Sequence, residues 1–478
     1  MPNKSVVQPN KGYSKYVKFV KFGDSLCVFN TLSLDKIYFK HVDKREILSR
    51  HQSLLARKNM LVSFDLAASN FISKKRLGST PKFEQLYLII SEQCNFRCKY
   101  CRQVQPGEWP RESMSYAEAK RIVDEFFVAA ERNVRGVVFY GGEPLLNKWV
   151  FVKIVPYLRA QEKKRGLDPI DITLITNGTK VDSDITQVIR ENSVYVILSL
   201  DGPRKFHNKF RVYRDGSGTF VDAVAGLKKL QRDDCKVGIS CTVGSHNVSH
   251  LKEVFSFFRE LRPLNVGISL PHDGEQNPLN KNTGIKEFCE ELFHLLDEAK
   301  PGDLYIEHIV RKLRLLFSQE IKLNDCAACG GRLVALPKER FGICEGAIGR
   351  PGFFSADKGH AMSRSREWYL TSPLFDKKCE SCLALGVCGG GCPFDGYLRE
   401  AKVGARDPRR CYFMKHVVRW GLEEFSETIG ERLQEVGYFS PSIRDQFNFL
   451  RVRKYITNNL PLRSTTDFNK TKYASSNN

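Results

Sequence analysis

Between Leu86 and Leu270 the chain repeats one pattern: a short, nearly continuous apolar run, a polar loop, then a stretch of helical period. The apolar runs are LYLIIS (86–91), GVVFY (136–140), ITLIT (172–176), VYVILSL (194–200), KVGISCTV (236–243) and LNVGISL (264–270). Helical stretches such as Ser115–Arg132, Trp149–Lys163 and Phe220–Arg232 lie between them. Near-continuous apolar strands alternating with helices mean a parallel sheet covered on one or both faces. Six such units, with no GxGxxG after the first strand, predict an α/β fold. Its expected form is a partial (β/α)6 TIM-like barrel rather than a dinucleotide-binding sheet. Ligands of such sheets sit at the carboxyl ends of the strands. The unusual residues of this chain fall there.

The flanks read differently. Residues 1–12 are expected to be a disordered lead-in. From Tyr13 to Phe39, short β-rich runs separated by Gly-Asp and polar turns predict a small antiparallel sheet. A helix is expected over Lys44–Lys58, and the polar stretch Ser73–Lys82 reads as a linker. After about residue 320 the alternation gives way to Cys-, Gly- and Pro-rich sequence with a thin apolar core, closed by a helix over Cys411–Val436. The expected division is therefore 1–82, 83–318, 319–436 and a basic, partly flexible tail at 437–478.

Among 478 residues, 75 Lys and Arg against 54 Asp and Glu leave a formal charge of +21, which favours an acidic partner without choosing its kind. The basic residues are dispersed and no nucleic-acid-binding signature stands out, so neither a nucleic-acid partner nor a scaffolding role is expected. No apolar run is long enough to span a membrane, and the first residues lack the apolar core of a secretory signal. A cytoplasmic protein with no membrane partner is the expectation.

Fifteen cysteines decide more than charge does. Four (Cys27, Cys235, Cys241, Cys289) stand alone. The others form three sets: Cys94, Cys98, Cys101; Cys326, Cys329, Cys344; and Cys379, Cys382, Cys388, Cys392, Cys411. In a reducing compartment such grouping reads as metal ligation. Three thiolates at the spacing of CNFRCKYC can hold three irons of a [4Fe–4S] cube and leave the fourth open to an external ligand. A zinc knuckle with a distant fourth ligand, or a zinc ribbon on Cys379, Cys382, Cys388 and Cys392, is the structural alternative. Gly386, Gly389, Gly390 and Gly391 would let successive thiolates turn inward.

The Cx3CxxC spacing, with Tyr100 before its last cysteine, resembles the radical S-adenosylmethionine (radical SAM) enzymes. The later ladder is similar to their SPASM extension, and the likeness runs from about Phe83 to Gly421. The resemblance implies SAM and three [4Fe–4S] clusters as cofactors, the first on Cys94, Cys98 and Cys101. It implies one auxiliary cluster on Cys326, Cys329, Cys344 and Cys392, and another on Cys379, Cys382, Cys388 and Cys411. Gly141, Gly142, Glu143 and Pro144 match the element that binds the methionyl amine. Asn177, Ser199, Asp201 and Arg211, at the next strand ends, would meet the ribose and carboxylate. His207, His272 and Asp273 also lie at or beyond strand ends and are given no chemistry.

The implied reaction is reductive SAM cleavage, supplied with electrons by a flavodoxin or ferredoxin type donor, followed by hydrogen abstraction from a peptide. Glu345, directly after Cys344, is the candidate base. Many peptide-maturing relatives carry a winged-helix-like leader-recognition domain before the barrel, and residues 13–58 are compatible with one. A basic enzyme would draw in a carboxylate-rich leader. The expected function is installation of a cyclophane, ether or thioether crosslink in a leader-bearing precursor peptide. The alternative is anaerobic sulfatase maturation, oxidising Cys or Ser to formylglycine.

Overall fold

The computed structural model describes residues 6–7, 12–78, 81–101, 111–270, 284–298, 306–431, 434 and 438–442. Residues 1–5 and 8–11 of the lead-in, His272, Asp273 and the tail beyond residue 442 lie outside the described residues. Among those described, no helix is long and apolar enough to cross a membrane.

A small antiparallel sheet opens the chain: β1 (Val6–Val7), β2 (Val17–Phe22), β3 (Ser25–Asn30) and β4 (Lys36–Lys40). Helices Lys44–Arg50, Gln52–Arg57 and Phe64–Leu77 follow. The helix expected over 44–58 is thus broken at His51. The expected linker is also corrected, because the third helix runs to Leu77. Its basic final turn, Lys74, Lys75 and Arg76, suits a helix carboxyl end, and only Phe64 and Ala68 are buried, so its periodicity is faint.

The expected barrel strands are present as β5 (Gln85–Ser91), β6 (Gly136–Gly141), β7 (Asp171–Thr176), β8 (Tyr195–Ser199), β9 (Val237–Thr242) and β10 (Val266–Ser269). They pair in parallel and in chain order. Helix starts are well specified; Ser115 and Glu118, for instance, close a reciprocal capping box on Tyr116–Ala130.

Alternation along the strands sets two faces. Leu86, Leu88, Val137, Phe139, Leu174, Val196 and Ile239 turn outward into the helix-covered core. The inner face carries Tyr87, Tyr140, Ser199, Ser240, Thr242 and Ser269, all only partly buried. The barrel interior is therefore reachable by solvent.

The sheet does not stop at β5. Strand β11 (Arg332–Leu336) pairs in parallel with it, Val334 beside Tyr87, and β12 (Arg340–Gly342) turns back against β11. Ala328, Leu333, Phe341, Trp368, Phe394, Met414 and Phe425 join the same continuous core as the barrel helices. The thin core expected after residue 320 is thereby corrected: the cysteine-rich segment borrows the core of the barrel. Its closing helix spans Pro408–Thr428, started by the Asp407 cap and a proline in the first turn; Gly430, Glu431 and Gln434 are helical again, and the other residues up to the expected Val436 lie in part outside the described residues.

Strand β13 (Tyr438–Phe439), in the expected tail, pairs antiparallel with β4, so both ends of the chain contribute to one sheet. One face of that sheet, through Val20, Phe22, Phe29 and Tyr38, packs into the main core. Tyr16, Leu32 and Phe64 pack on Leu374 and Leu385 of the cysteine-rich segment.

Candidate active site and three cysteine groups

Strand β5 delivers the chain to Cys94, Cys98 and Cys101 at its carboxyl end. The ligand loop is held as though it were a strand: Arg97 N donates to Val212 O at 2.7 Å, and Lys99 N to Phe210 O at 2.9 Å. Phe96 forms a bridge with Tyr213, their rings edge to face at 5.2 Å. Burial pushes the Cys94 and Cys98 thiols up to about 12, and their mutual proximity and that of Cys101 add to it.

Gly141 and Gly142 pack against the backbone that leads into this loop. A Cβ on Gly142 would stand 2.1 Å from Gln93 O, and one on Gly141, at φ +136°, 2.4 Å from Ser91 O. Gly142 N donates to Ser91 O at 3.0 Å and Glu143 N to Gln93 O at 2.7 Å. The glycines thus seat the ligand loop whatever else they approach. Glu143 is buried, and its carboxylate accepts from Thr176 Oγ1 (2.7 Å), Asn177 N (2.8 Å) and Leu145 N (3.0 Å). Pro144 begins the helical turn after it. Asn177 reaches on to Asn95 at 2.9 Å, next to Cys94. Asn95 was not singled out from sequence, where an isolated Asn beside a cysteine carries no signal.

Asp201 is fully buried at the end of β8. It accepts from Tyr100 Oη at 2.6 Å, Arg211 Nε at 2.9 Å and Thr242 N at 3.0 Å. Burial would raise its pKa, but the Arg211 guanidinium and nearby His207 and His246 hold it below the usual range. Asp201 therefore anchors the aromatic ring preceding Cys101, and Arg211 lies over that ring at 5.4 Å. Only the Nε of Arg211 is used on Asp201, while Ser199 sits half-exposed on the inner face.

His207 is locked behind this network. Asp201 N donates to its Nδ1 at 3.3 Å, so Nε2 carries the proton toward Thr219 Oγ1 at 3.0 Å, and Thr219 donates to Arg211 O at 2.9 Å. His246, equally buried, has neither ring nitrogen hydrogen-bonded and lies 3.9 Å from Asp201. Burial pushes the first imidazole down to about 3 and the second to about 4.

The remaining eight clustered cysteines separate into two sets in space. Cys326, Cys329, Cys344 and Cys392 lie within electrostatic reach of one another, and Cys379, Cys382, Cys388 and Cys411 do likewise. Cys388 and Cys392 are close in sequence yet belong to different sets. Between them Gly389, Gly390 and Gly391 have φ of +63°, +87° and +72°, three consecutive left-handed residues that only glycine adopts readily. That reversal turns the two thiols apart. All fifteen cysteines are unbridged.

Glu345 lies beside the first of these sets. Its Oε2 accepts from Arg332 Nη1 at 2.5 Å, and the Arg332 guanidinium stacks on Tyr87 at 4.1 Å. Tyr140, deep in the barrel, is within electrostatic reach of Glu345, Cys101, Tyr87 and Arg211. Glu345 and the first cysteine group thus border one interior space. Arg332, read from sequence only as part of a cysteine-rich segment, is the residue that fixes Glu345.

These donors suit iron–sulfur ligation. Thiols that burial keeps protonated ionise when a metal centre is placed against them. Among the described residues, no three or more His, Cys, Asp or Glu side chains converge on a point fit for one ion.

A recess of about 490 Å³ also reaches Cys94 from outside, lined by Gln93, Asn95, Leu146, Tyr213, Arg214 and Asp215. None of the residues expected to hold SAM lines it.

Residues 88–258 match the Radical SAM superfamily, so the barrel of this chain is a radical SAM domain. Enzymes of that family use SAM and a [4Fe–4S] cluster. The relatives are maturases and synthases. The radical SAM cyclopropyl synthase TigE of Paramaledivibacter caminithermalis is 20% identical over 369 residues, covering 73% of this chain and 76% of the relative. A cysteine-type anaerobic sulfatase-maturating enzyme of Clostridium perfringens is 23% identical over 335 residues, covering 65% and 89%. Among solved structures, native anSMEcpe with bound AdoMet and Cp18Cys peptide superposes with a TM-score of 0.59 at 20% identity. It covers 74% of this chain and 98% of its own, and shares the fold.

Proposed function

We propose that the protein is a peptide maturase that installs an intramolecular side-chain crosslink in a ribosomally made, leader-bearing precursor. One observation carries this reading: the eleven clustered cysteines fall into one set of three and two sets of four. On this reading Cys94, Cys98 and Cys101 hold the SAM-binding [4Fe–4S] cluster. Cys326, Cys329, Cys344 and Cys392 hold one auxiliary cluster, and Cys379, Cys382, Cys388 and Cys411 the other. When bound and reduced, the first cluster with SAM supplies a 5′-deoxyadenosyl radical able to take a hydrogen atom from an unactivated C–H bond.

The chain's own residues do the rest. The Asp201–Tyr100 bond and the Gly141–Gly142 contact fix the ligand loop. On this reading the Nη groups of Arg211 and the Ser199 hydroxyl would hold a carboxylate, a guanidinium being suited to grip both oxygens. Gly267, Ser240 and Ser269 keep the inner face low on β9 and β10, which would leave room for a peptide segment, whereas the space beside Gly238 is filled by Tyr195 and Asn265. Glu345, steadied by Arg332, would take the proton released as the substrate radical gives up its remaining electron, for which the auxiliary cluster on Cys326, Cys329, Cys344 and Cys392 would be the acceptor. The amino-terminal sheet serves the leader, through main-chain pairing at a sheet edge and attraction of its carboxylates to a basic protein. A flavodoxin or ferredoxin type donor in the cytoplasm supplies electrons.

The test is anaerobic co-production with each short peptide encoded beside the gene, read by fragmentation mass spectrometry. A crosslink appears as loss of two hydrogens with fragmentation suppressed between the joined residues. The likeness to a sulfatase-maturating enzyme favours a second reading, conversion of Cys or Ser to formylglycine. An aldehyde that reacts with hydrazine, in an otherwise linear peptide, would establish that reading and end the first.

A further inference from the structure

The amino-terminal sheet touches the loop that carries Cys379, Cys382 and Cys388. Lys15 Nζ donates to Glu380 Oε1 at 2.5 Å. Gly386 N donates to Thr31 O at 2.8 Å, and a Cβ on Gly386 would stand 2.7 Å from that oxygen, so the two backbones meet with no side chain between them. Tyr16 and Leu32 share a small core with Leu385.

Lys18 belongs to the same contact. Alternation along β2 puts it on the face of Val20 and Phe22, which packs into the main core. It is 2% exposed, and its Nζ has no hydrogen-bond partner among the described residues. The other buried lysines are satisfied: Lys312 Nζ donates to Asp325 Oδ1 at 2.6 Å, and Lys36 Nζ to Leu316 O at 3.1 Å. Among the described residues, the titratable group within electrostatic reach of Lys18 is Cys382. An ammonium removed from water is costly unless an anion or a strong acceptor meets it. A neutral thiol is neither, since its sulfur accepts only weakly. A metal-bound thiolate, or a sulfide of a cube, is anionic and would serve.

We propose that the missing partner of Lys18 is the centre held by Cys379, Cys382, Cys388 and Cys411, with Nζ donating to one of its sulfurs. The inference rests on assigning a cluster to those four thiols and goes beyond it, because it makes β2 part of that centre's immediate surroundings. A [4Fe–4S] group on four thiolates is an anion and gains further negative charge on reduction. A cation hydrogen-bonded to its sulfur therefore stabilises the reduced form more than the oxidised one and raises the midpoint potential. Lys312, within electrostatic reach of Cys388, acts in the same sense.

The test is an anaerobic redox titration of the full-length, cluster-loaded protein followed by EPR. It needs no precursor peptide, so its outcome is independent of the crosslinking reading. The signal that disappears in Cys382→Ala identifies the centre. Lys18→Met keeps the bulk and removes the charge; it should lower the midpoint of that signal by about 59 mV, a tenfold shift in a one-electron equilibrium. The other signals should stay in place, and Lys18→Arg should restore most of the shift. The control, Lys15→Met, removes a half-exposed charge from the same contact and should shift the equilibrium less than about twofold. Labelling with ¹⁵N-lysine adds a reading that does not depend on the methionine variant folding. By pulsed EPR the reduced wild-type centre should couple to a lysine nitrogen, and that coupling should be lost in Lys18→Arg. A folded Lys18→Met protein with the wild-type midpoint, or a wild-type centre without that coupling, would mean that water alone satisfies Lys18 and would overturn the proposal. The cluster is tested separately by iron and sulfide content. A wild-type protein lacking the Cys382-dependent signal refutes cluster and pairing together, whereas a signal with an unmoved midpoint refutes the pairing alone.

Discussion

Replacing Gly142 by alanine tests whether the Gly-Gly step is what seats the cysteine loop. The added Cβ would lie 2.1 Å from Gln93 O and 2.8 Å from Glu92 O, and both obstacles are backbone. Ordinary contact begins near 3.4 Å, so one segment must retreat by more than an ångström. The bonds Gly142 N to Ser91 O and Glu143 N to Gln93 O cross that gap. Losing both costs about 2 kcal/mol at about 1 kcal/mol each. Gln93 precedes Cys94, so the first thiol moves with it, and a misplacement of about 1 Å near reacting groups can cost about a hundredfold in rate. The expectation is a lowered unfolding midpoint together with loss of iron or of SAM cleavage. Gly267→Ala is the comparison, because its Cβ would meet nothing nearer than His308 Cε1 at 3.6 Å. A Gly142→Ala protein with wild-type midpoint, iron and cleavage rate would refute the reasoning.

Acidification probes the second layer of the site. His207 and His246 are held neutral in the fold at pKa values of about 3 and about 4, so between there and about 6.5 the unfolded chain binds more protons. Their stabilisation is complete above about pH 6.5 and declines below it, by about 2 kcal/mol per histidine at pH 5. Urea unfolding at pH 7 and pH 5 should show that slope, and His207→Gln should flatten it; an unchanged slope would remove His207 as its source. Cys388→Ala and Cys392→Ala, close in sequence, should deplete different iron–sulfur signals by Mössbauer or EPR spectroscopy, and an identical spectral loss would contradict the two-set division. Glu345→Gln should still release 5′-deoxyadenosine while finished product falls at least tenfold by mass spectrometry; unimpaired product would strip Glu345 of its proton-accepting role.

The barrel was readable because near-continuous apolar runs alternating with helical stretches are buried by a helix-covered parallel sheet, and the six runs show it. Ligand spacing was readable because thiolates on one centre must be close in sequence or bracketed by turns, as with Gly389–Gly391. What escaped notice acts between distant segments. Asn95 matters only through Asn177, and Arg332 only through Glu345 and Tyr87. Nothing in RLVAL, surrounded by cysteines and glycines, announces that β11 completes the sheet beside β5. Nor does a dipeptide such as Tyr438–Phe439 reveal that it edges a sheet begun near Val17. Helix Phe64–Leu77 was hidden for a related reason: with few buried positions, its apolar period never rises above its charge.

The pairing of β11 with β5 has a cost in time. As the chain leaves the ribosome, β5 must stand with one side open until Arg332–Leu336 has been made, and β4 waits longer for Tyr438–Phe439. Such late closure makes for slow folding and leaves unpaired edges prone to aggregation. Nascent chains halted before residue 332 should therefore be bound by chaperones, and the two later cysteine sets are complete only once Cys392 and Cys411 have been made.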